Sequence, residues 1–537
     1  MPGRVRRAVA VCVPALVMFG LGLWGLDRGG IWRDEAVTFQ VARRTVPQIW
    51  RLLHDVDAVH GLYYLLMHAV LAVHPGEVVL RLPSVCAAAV TAGLVAALGT
   101  RLARPRVGLW AGLLYAVSPM AGHYAQEGRS YALVAAGATG ATLLFVRAVR
   151  GGSWWAYGAV LGLTCWLHEF AVLLLLAHGV SLAMARAGAR VWRGWGCAAV
   201  AVAAVLVPMA LVSRAQSAQL AWVRRPTMET AQGVLRTFLG PTDGVYWACL
   251  GLAVVALSGL VGRRGELTCA GVCLPLAVVP PVVLMLVSQV SPLYVDRYVL
   301  YALGGAPVLV AAGADRVIGV VGRLRPGGRR APTALRNDGP RDGGMPPPRP
   351  LLQSPRSRSS PLLTLTGVLA VLLAAVQQLP LLRDDRAPVH RPDDLAAVSR
   401  AAAQVLRPGE PVLFLPAQAR NAALAYPGAF RGVRDVGLGV SAAESGTLYG
   451  READAGTLRH RVARLDRVWV VADRNLLAGR WSPRSQAEQA KLALLAQEFV
   501  PVEESVSGDV TVRLYVRRSA VSRSPASPPA PPRPARR

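Results

Sequence analysis

The sequence predicts an all-α polytopic membrane bundle, about eleven transmembrane helices plus juxtamembrane helices, with a small extracytoplasmic α/β domain at the C-terminal end. Three observations lead there. Of 537 residues, 53% are hydrophobic and only 17% charged, where a soluble domain carries about 25% charge. The apolar residues run in long stretches such as 161–185 and 270–290, long enough to cross a hydrocarbon core of about 30 Å. Beyond residue 383 the character changes to short β-rich runs alternating with helical pattern.

Candidate spans cover 8–26, 83–103, 107–121, 130–149, 156–168, 171–185, 197–212, 246–261, 270–290, 299–320 and 362–379. The basic start and apolar run of the first also fit a signal peptide. That run is long, however, and no small-residue cleavage site leads into polar sequence, so a retained helix is expected. Segment 61–74 is apolar but barely one span long. Counting it as a span would put the basic loops RLARPR (101–106), RAVRGG (147–152) and ARAGARVWR (185–193) outside. Laying it in the interface puts all of them inside, with the N-terminus, and the C-terminal domain outside, in a plasma membrane.

The chain divides into a transmembrane module (1–318), a linker (319–361), a last span (362–380), the outer domain (381–518) and a tail (519–537). The linker and tail are rich in Pro, Gly, Ser, Ala and Arg without hydrophobic period, and are expected to be disordered. In the outer domain Asp393 is placed to cap a helix through Leu406. PVLFLP (411–416), RVWVVA (467–472) and VTVRLYV (510–516) read as strands, and 486–499 as a helix.

Lys and Arg exceed Asp and Glu by 59 to 31, a net charge of +28. The excess sits in short loops and polar tails, and no basic stripe is interleaved with aromatics, so a nucleic-acid partner is not expected. Lys491 is the only lysine. No Gly-Lys-Ser/Thr phosphate loop exists, and no nucleotide cofactor is expected. The seven cysteines lie in or beside apolar segments without a CxxC pair and read as small buried hydrophobes.

Chemistry concentrates at three predicted outer edges. The loop after the first span carries Asp34 and Glu35 beside the interface residue Trp32. Adjacent on a helix, the carboxylates point about 100° apart and serve different partners. One could take a proton from an acceptor hydroxyl. The plainer alternative makes Asp34 the cap of a helix over 35–44. In HYAQEGRSYAL (123–133), Glu127 and Arg129 form a structural ion pair or grip an anionic ligand, since a guanidinium matches phosphate oxygens. In VDRYVLYAL (295–303), Arg297 among Tyr294, Tyr298 and Tyr301 is a second phosphate candidate or a snorkelling cation. His54, His60, His123 and His168, with Asp55, Asp57 and Glu169, suggest a divalent cation, but no ligand spacing such as HxxxH supports it. Carboxylates for an acceptor and arginines for a phosphate, beside a bilayer, suit a lipid-phosphate donor.

These residues resemble a known family, the GT-C membrane glycosyltransferases that use polyprenyl-phosphate sugars, and within it the protein O-mannosyltransferase and aminoarabinose transferase branch. The likeness rests on WRDEA (32–36), HGLYYLLMHAVLAV (60–73), RLPSV (81–85), YAQEGRSYAL (124–133) and DRYVL (296–300), in the expected order. The family pattern often has proline where this chain reads DAVHGLYY (57–64). The resemblance implies an inverting glycosyltransferase, moving a sugar such as mannose or arabinose from a polyprenyl-phosphate carrier in the lipid to an extracytoplasmic glycan, lipid or protein. Asp34 would be the catalytic base and Glu35 a holder of acceptor or cation. Arg129 and Arg297 would bind the donor phosphate, with Glu127, Tyr131, Tyr298 and His60 in support. The competing class is a transporter or flippase of a lipid-linked sugar, which would be expected to show related halves and charged or broken helices at mid-membrane.

Overall fold

The computed structural model describes residues 2–28, 30–324, 361–387, 394–507 and 509–521. Among the described residues, seven helices are long and apolar enough to cross a membrane: Gly3–Leu23, Glu77–Leu102, Tyr131–Val149, Ala189–Ala215, Cys269–Val287, Asp296–Val321 and Leu363–Asp384. A pair bent by 85°, Met228–Leu239 with Asp243–Gly259, makes an eighth if counted as one span. The chain is a multi-pass membrane protein.

The helices of the bundle are α1 (Pro2–Leu23), α2 (Arg33–Ala42), α3 (Val46–Asp55), α4 (Gly61–Val73), α5 (Glu77–Leu102), α6 (Pro105–Ala116), α7 (Pro119–Ala125), α8 (Tyr131–Val149) and α9 (Trp154–Leu167). They continue as α10 (Leu173–Met184), α11 (Ala189–Ala215), α12 (Met228–Leu239), α13 (Asp243–Ala256), α14 (Cys269–Val287), α15 (Gly305–Leu324) and α16 (Pro361–Asp384). The spans expected at 107–121, 156–168, 171–185 and 246–261 are present as helices shorter than a full crossing. At about 1.5 Å per residue, the 12 residues of α6 reach only about 18 Å. Pro119, which opens α7, has no N–H to continue the ladder, and the chain breaks at Val117 and Ser118. His168 is extended and ends α9.

Small residues let the helices approach closely. A Cβ on Gly108 would collide with the Ala96 carbonyl of α5, so α6 can lie on α5 only with glycine there. Helix direction sorts the charges. Arg101, Arg147, Arg186 and Arg190 all fall at the ends of α5, α8, α10 and α11 remote from α2 to α4. Segment 61–74 is the 13-residue α4, which joins α2 and α3 in a layer across the other end of the bundle. That layer buries Ile49, Leu52, Tyr63, Tyr64, Met67 and Leu71.

The linker expected at 319–361 begins late, because α15 continues to Leu324; residues 325–360 lie outside the described residues. The last span runs to Asp384 rather than 380. The tail's first residues belong to a short helix, Arg518–Val521, and 522–537 lie outside the described residues.

The C-terminal domain opens with α17 (Leu395–Val405), capped by Asp394, whose Oδ1 accepts from Ala397 N at 2.9 Å. Asp393, the expected cap, lies outside the described residues. The strands are β1 (Pro411–Leu415), β2 (Arg434–Asp435), β3 (Leu438–Val440), β4 (Arg451–Glu452), β5 (Arg467–Asp473), β6 (Phe499–Ser507) and β7 (Val510–Arg517). Five form a sheet of order β2-β1-β5-β7-β6, parallel from β2 to β5 and antiparallel beyond. Alternation splits the side chains between two faces. Leu413, Leu415, Val468 and Val470 pack on helices Ala455–Ala463 and Gln486–Glu498. Val412, Phe414, Trp469 and Val471 share one core with α17 and with the α2 to α4 layer. Polar contacts reinforce that joint: the Tyr426 hydroxyl accepts from Ile31 N at 2.8 Å and donates to the Glu77 carboxylate, and Gln40 Nε2 donates to Leu448 O at 2.7 Å.

Candidate active site

The layer between bundle and C-terminal domain positions the predicted residues, and α2 is its centre. This helix starts after Trp32, which offers no side-chain cap, so Asp34 lies inside the first turn and does not cap. Acidic residues there favour the helix through its dipole. The two carboxylates diverge as helical geometry requires.

Glu35, expected to hold acceptor or cation, is turned into the bundle and is fully buried. Its Oε1 and Oε2 accept from Arg81 Nε at 2.8 Å and Nη2 at 2.7 Å, and Gly128 N donates to Oε1 at 2.9 Å. Arg81 spends its remaining donors on the Leu26 and Gly30 carbonyls at 3.0 and 3.1 Å. The desolvated guanidinium demands these partners, so Glu35 serves as a structural tie among α2, α5 and the loop before α8.

Asp34 turns the other way, into a cavity of about 180 Å³. Its Oδ2 lies 3.4 Å from Arg297 Nη2. Arg297 donates through Nε to the Tyr131 hydroxyl at 3.1 Å and packs its guanidinium against Tyr131, Trp222 and Tyr298, which hold the cation by their π faces. Arg129 enters the same cavity. Its Nη2 lies 2.8 Å from His60 Nε2, and Nη1 reaches the Thr38 hydroxyl at 3.4 Å. Arginine only donates, so His60 Nε2 accepts and the ring is neutral. Burial first, then the positive charge of Arg129, push the His60 pKa well below its ordinary value. Opposite stands Asp57, which takes a hydrogen bond from the Tyr64 hydroxyl at 2.8 Å. Its pKa is raised by burial, against the lowering pull of Arg129. Asp57 is one of two non-glycine residues among those described with positive φ, a strained backbone of the kind found at functional sites.

Of the predicted residues, Asp34, Asp57, His60, Arg129, His168, Glu169, Arg297 and Tyr298 line this cavity, and Tyr131 supports it through Arg297. Glu127 does not orient Arg129. Its buried Oε1 and Oε2 have no hydrogen-bond partner, and burial pushes its pKa up to about 7. His54 and His123 lie elsewhere, His123 Nδ1 being 2.6 Å from Asp385 Oδ1. Among the described residues no group of three or more His, Cys, Asp or Glu is arranged to hold a metal ion. Sequence reasoning missed Ser213, Gln216, Gln219 and Trp222, which close the cavity from the end of α11 and the turn after it. A polar run after an apolar span reads only as a loop, so no local signal marks them.

The sequence matches no known family profile and no curated protein. The three-dimensional arrangement does have counterparts. ArnT from Cupriavidus metallidurans, an aminoarabinose transferase, superposes in its apo state with a TM-score of 0.55 at 14% identity, over 94% of this chain and 97% of that one. The chain has a GT-C fold. The same ArnT bound to undecaprenyl phosphate gives a TM-score of 0.52 at 14% identity, with the same coverage of both chains. Archaeal oligosaccharyltransferase AglB from Archaeoglobus fulgidus is also similar, with a TM-score of 0.49 at 12% identity over 94% of this chain and 74% of that one. The ArnT coverage extends the GT-C fold beyond residue 318, where the sequence likeness stops, into the C-terminal domain.

Proposed function

We propose that this protein is a membrane glycosyltransferase that moves a sugar from a polyprenyl-phosphate donor to an extracytoplasmic acceptor, with Asp34 as general base. The observation that carries this reading is the meeting of Asp34 with the guanidiniums of Arg129 and Arg297 in one cavity beside the bundle. The GT-C fold, shared with an ArnT that binds undecaprenyl phosphate, supports it.

The arrangement suits an inverting displacement. Donor phosphate oxygens take up the guanidinium donors of Arg129 and Arg297, which match phosphate geometry. That draws Arg297 from Asp34 and leaves the carboxylate to accept the proton of the incoming hydroxyl. The acceptor oxygen bonds to the anomeric carbon as the bond from that carbon to the phosphate oxygen breaks. The leaving polyprenyl phosphate carries the negative charge, and the two cations stabilise it. Neutral His60 positions Arg129 by accepting from it. No nucleotide is needed, since the donor brings its own leaving group. The basic loops gathered at the far end of the bundle favour an extracytoplasmic site in the plasma membrane. Either a hexose such as mannose or a pentose suits the same chemistry.

Purified protein incubated with labelled polyprenyl-phosphate sugars should release label from the lipid. Asp34→Asn, which keeps shape and removes the base, should slow transfer by roughly 10²- to 10⁴-fold with unchanged thermal stability. Turnover at the native rate in that variant excludes Asp34 as base.

A further inference from the structure

A second cavity, of about 360 Å³, lies between α2 and the C-terminal domain, within the size range of small-molecule sites. Arg33, Gln418, Asn421, Asp473, Trp481 and Asp509 supply its polar and aromatic lining. It opens where the chain leaves the carboxyl ends of β1 and β5. From β1 the sheet grows to β2 on one side and to β5 on the other, and such a switch point is where open α/β sheets bind ligands.

The chemistry of the cleft selects against anions. The N–H groups following the two strands are those a phosphate would use, and carboxylates already hold them. Ala417 N donates to Glu488 Oε1 at 2.8 Å; Asn475 N and Leu476 N donate to Asp473 Oδ1 at 2.8 and 3.0 Å. Asp509 adds further negative charge against the single cation Arg33. What remains is an indole wall and hydrogen-bonding groups. Trp481, 40% exposed, gives the cleft its aromatic wall. Asn421 is 2% exposed, with its amide beside the Tyr449 hydroxyl.

An uncharged sugar ring offers a C–H face for the indole and hydroxyls for amides and carboxylates. We propose that this cleft binds a neutral saccharide, the body of the acceptor, while Asp34 acts in the neighbouring cavity. The proposal rests on the transferase reading for the word acceptor, and on the cleft alone for the saccharide. Arg33 and Asp34, consecutive on α2, line the two cavities in turn.

Full-length Asp34→Asn protein, purified in detergent, is applied to immobilised neutral oligosaccharides built from mannose, glucose or arabinose, beside uronate-bearing and phosphorylated ones. Retention on a neutral series and not on the anionic ones is expected. Trp481→Ala and Gln418→Ala, on the exposed and half-buried wall, should each weaken it by about tenfold or more at unchanged thermal stability. The proposal is overturned by no retention on any neutral series, by equal retention on anionic ones, or by unchanged retention in Gln418→Ala and in a folded Trp481→Ala. Donor turnover by the native chain is read separately. Turnover without saccharide binding refutes the cleft alone, while binding without turnover refutes the transferase reading and leaves a saccharide site.

Discussion

Asp34 and Glu35 carry the same functional group, and their surroundings give them opposite tasks. Asp34 keeps water on one side and a cation at 3.4 Å, and Glu35 gives both oxygens to Arg81 in the interior. Sequence separated the two directions through the helical angle, but could not say which direction led inward. That depended on Arg81, 46 positions later, matched as part of a motif and assigned no role. Glu127 shows the same limit. Its place beside Arg129 in sequence suggested a pair, whereas Glu127 is buried with neither carboxylate oxygen in a hydrogen bond. Its pKa near 7, against an ordinary 4.5, reflects burial that disfavours the charged form. Between those values the folded chain holds a proton that the unfolded chain has released, so stability falls as pH rises through that window. Glu127→Gln should therefore raise the thermal midpoint in detergent at pH values above 7 and change it little below 4.5. An equal shift across the whole range would contradict the buried-carboxyl account.

Among the elements, α2 to α4 decide where the site sits. The place of α4 at the end of the bundle opposite the basic loops agrees with charge sorting, because only the choice not to count it as a span gathers those loops at one end. The strands β1 and β5 were legible through their apolar runs, and β7 through the alternation of Val510, Val512 and Leu514 with Thr511 and Arg513. The strand β6 was not: VPVEESVS is polar and contains Pro501 beside a shift of register, which the edge of a sheet tolerates. Helix length was overestimated for α6, where apolar sequence continues through a break that only the local backbone reveals. The tie from α2 to α5 belongs to this scale. Arg81→Met leaves the Glu35 carboxylate buried without its ion partner, and breaking such a pair costs about 3 to 5 kcal/mol. A lowered thermal midpoint, partly restored by adding Glu35→Gln, would show that the stranded charge is the cause. Additive losses in the double variant would point instead to packing.

For the whole molecule, the C-terminal domain shares its core with the membrane-proximal layer. Val412, Phe414 and Trp469 from the sheet bury their side chains in one cluster with Ile49, Tyr63 and Met67. Sequence placed the domain on the correct end but described it as an appendage, because the apolar residues that join the halves are more than 300 positions apart and carry no mutual signal. Residues 394–521 produced alone would expose that face and should associate or unfold, while the full chain in detergent stays monodisperse; size-exclusion chromatography of the two reads the difference. A soluble monomeric fragment would show the interface to be dispensable. The same joint makes one turn of α2 a shared axle. Arg33 reaches the outer cleft, Asp34 the membrane-side cavity and Glu35 the bundle interior, and their angular offset comes only from the helical repeat. One residue inserted after Glu35 would rotate this turn by about 100° against the rest of α2 and disengage all three at once, so α2 should tolerate an insertion within it far less well than its 10-residue length suggests.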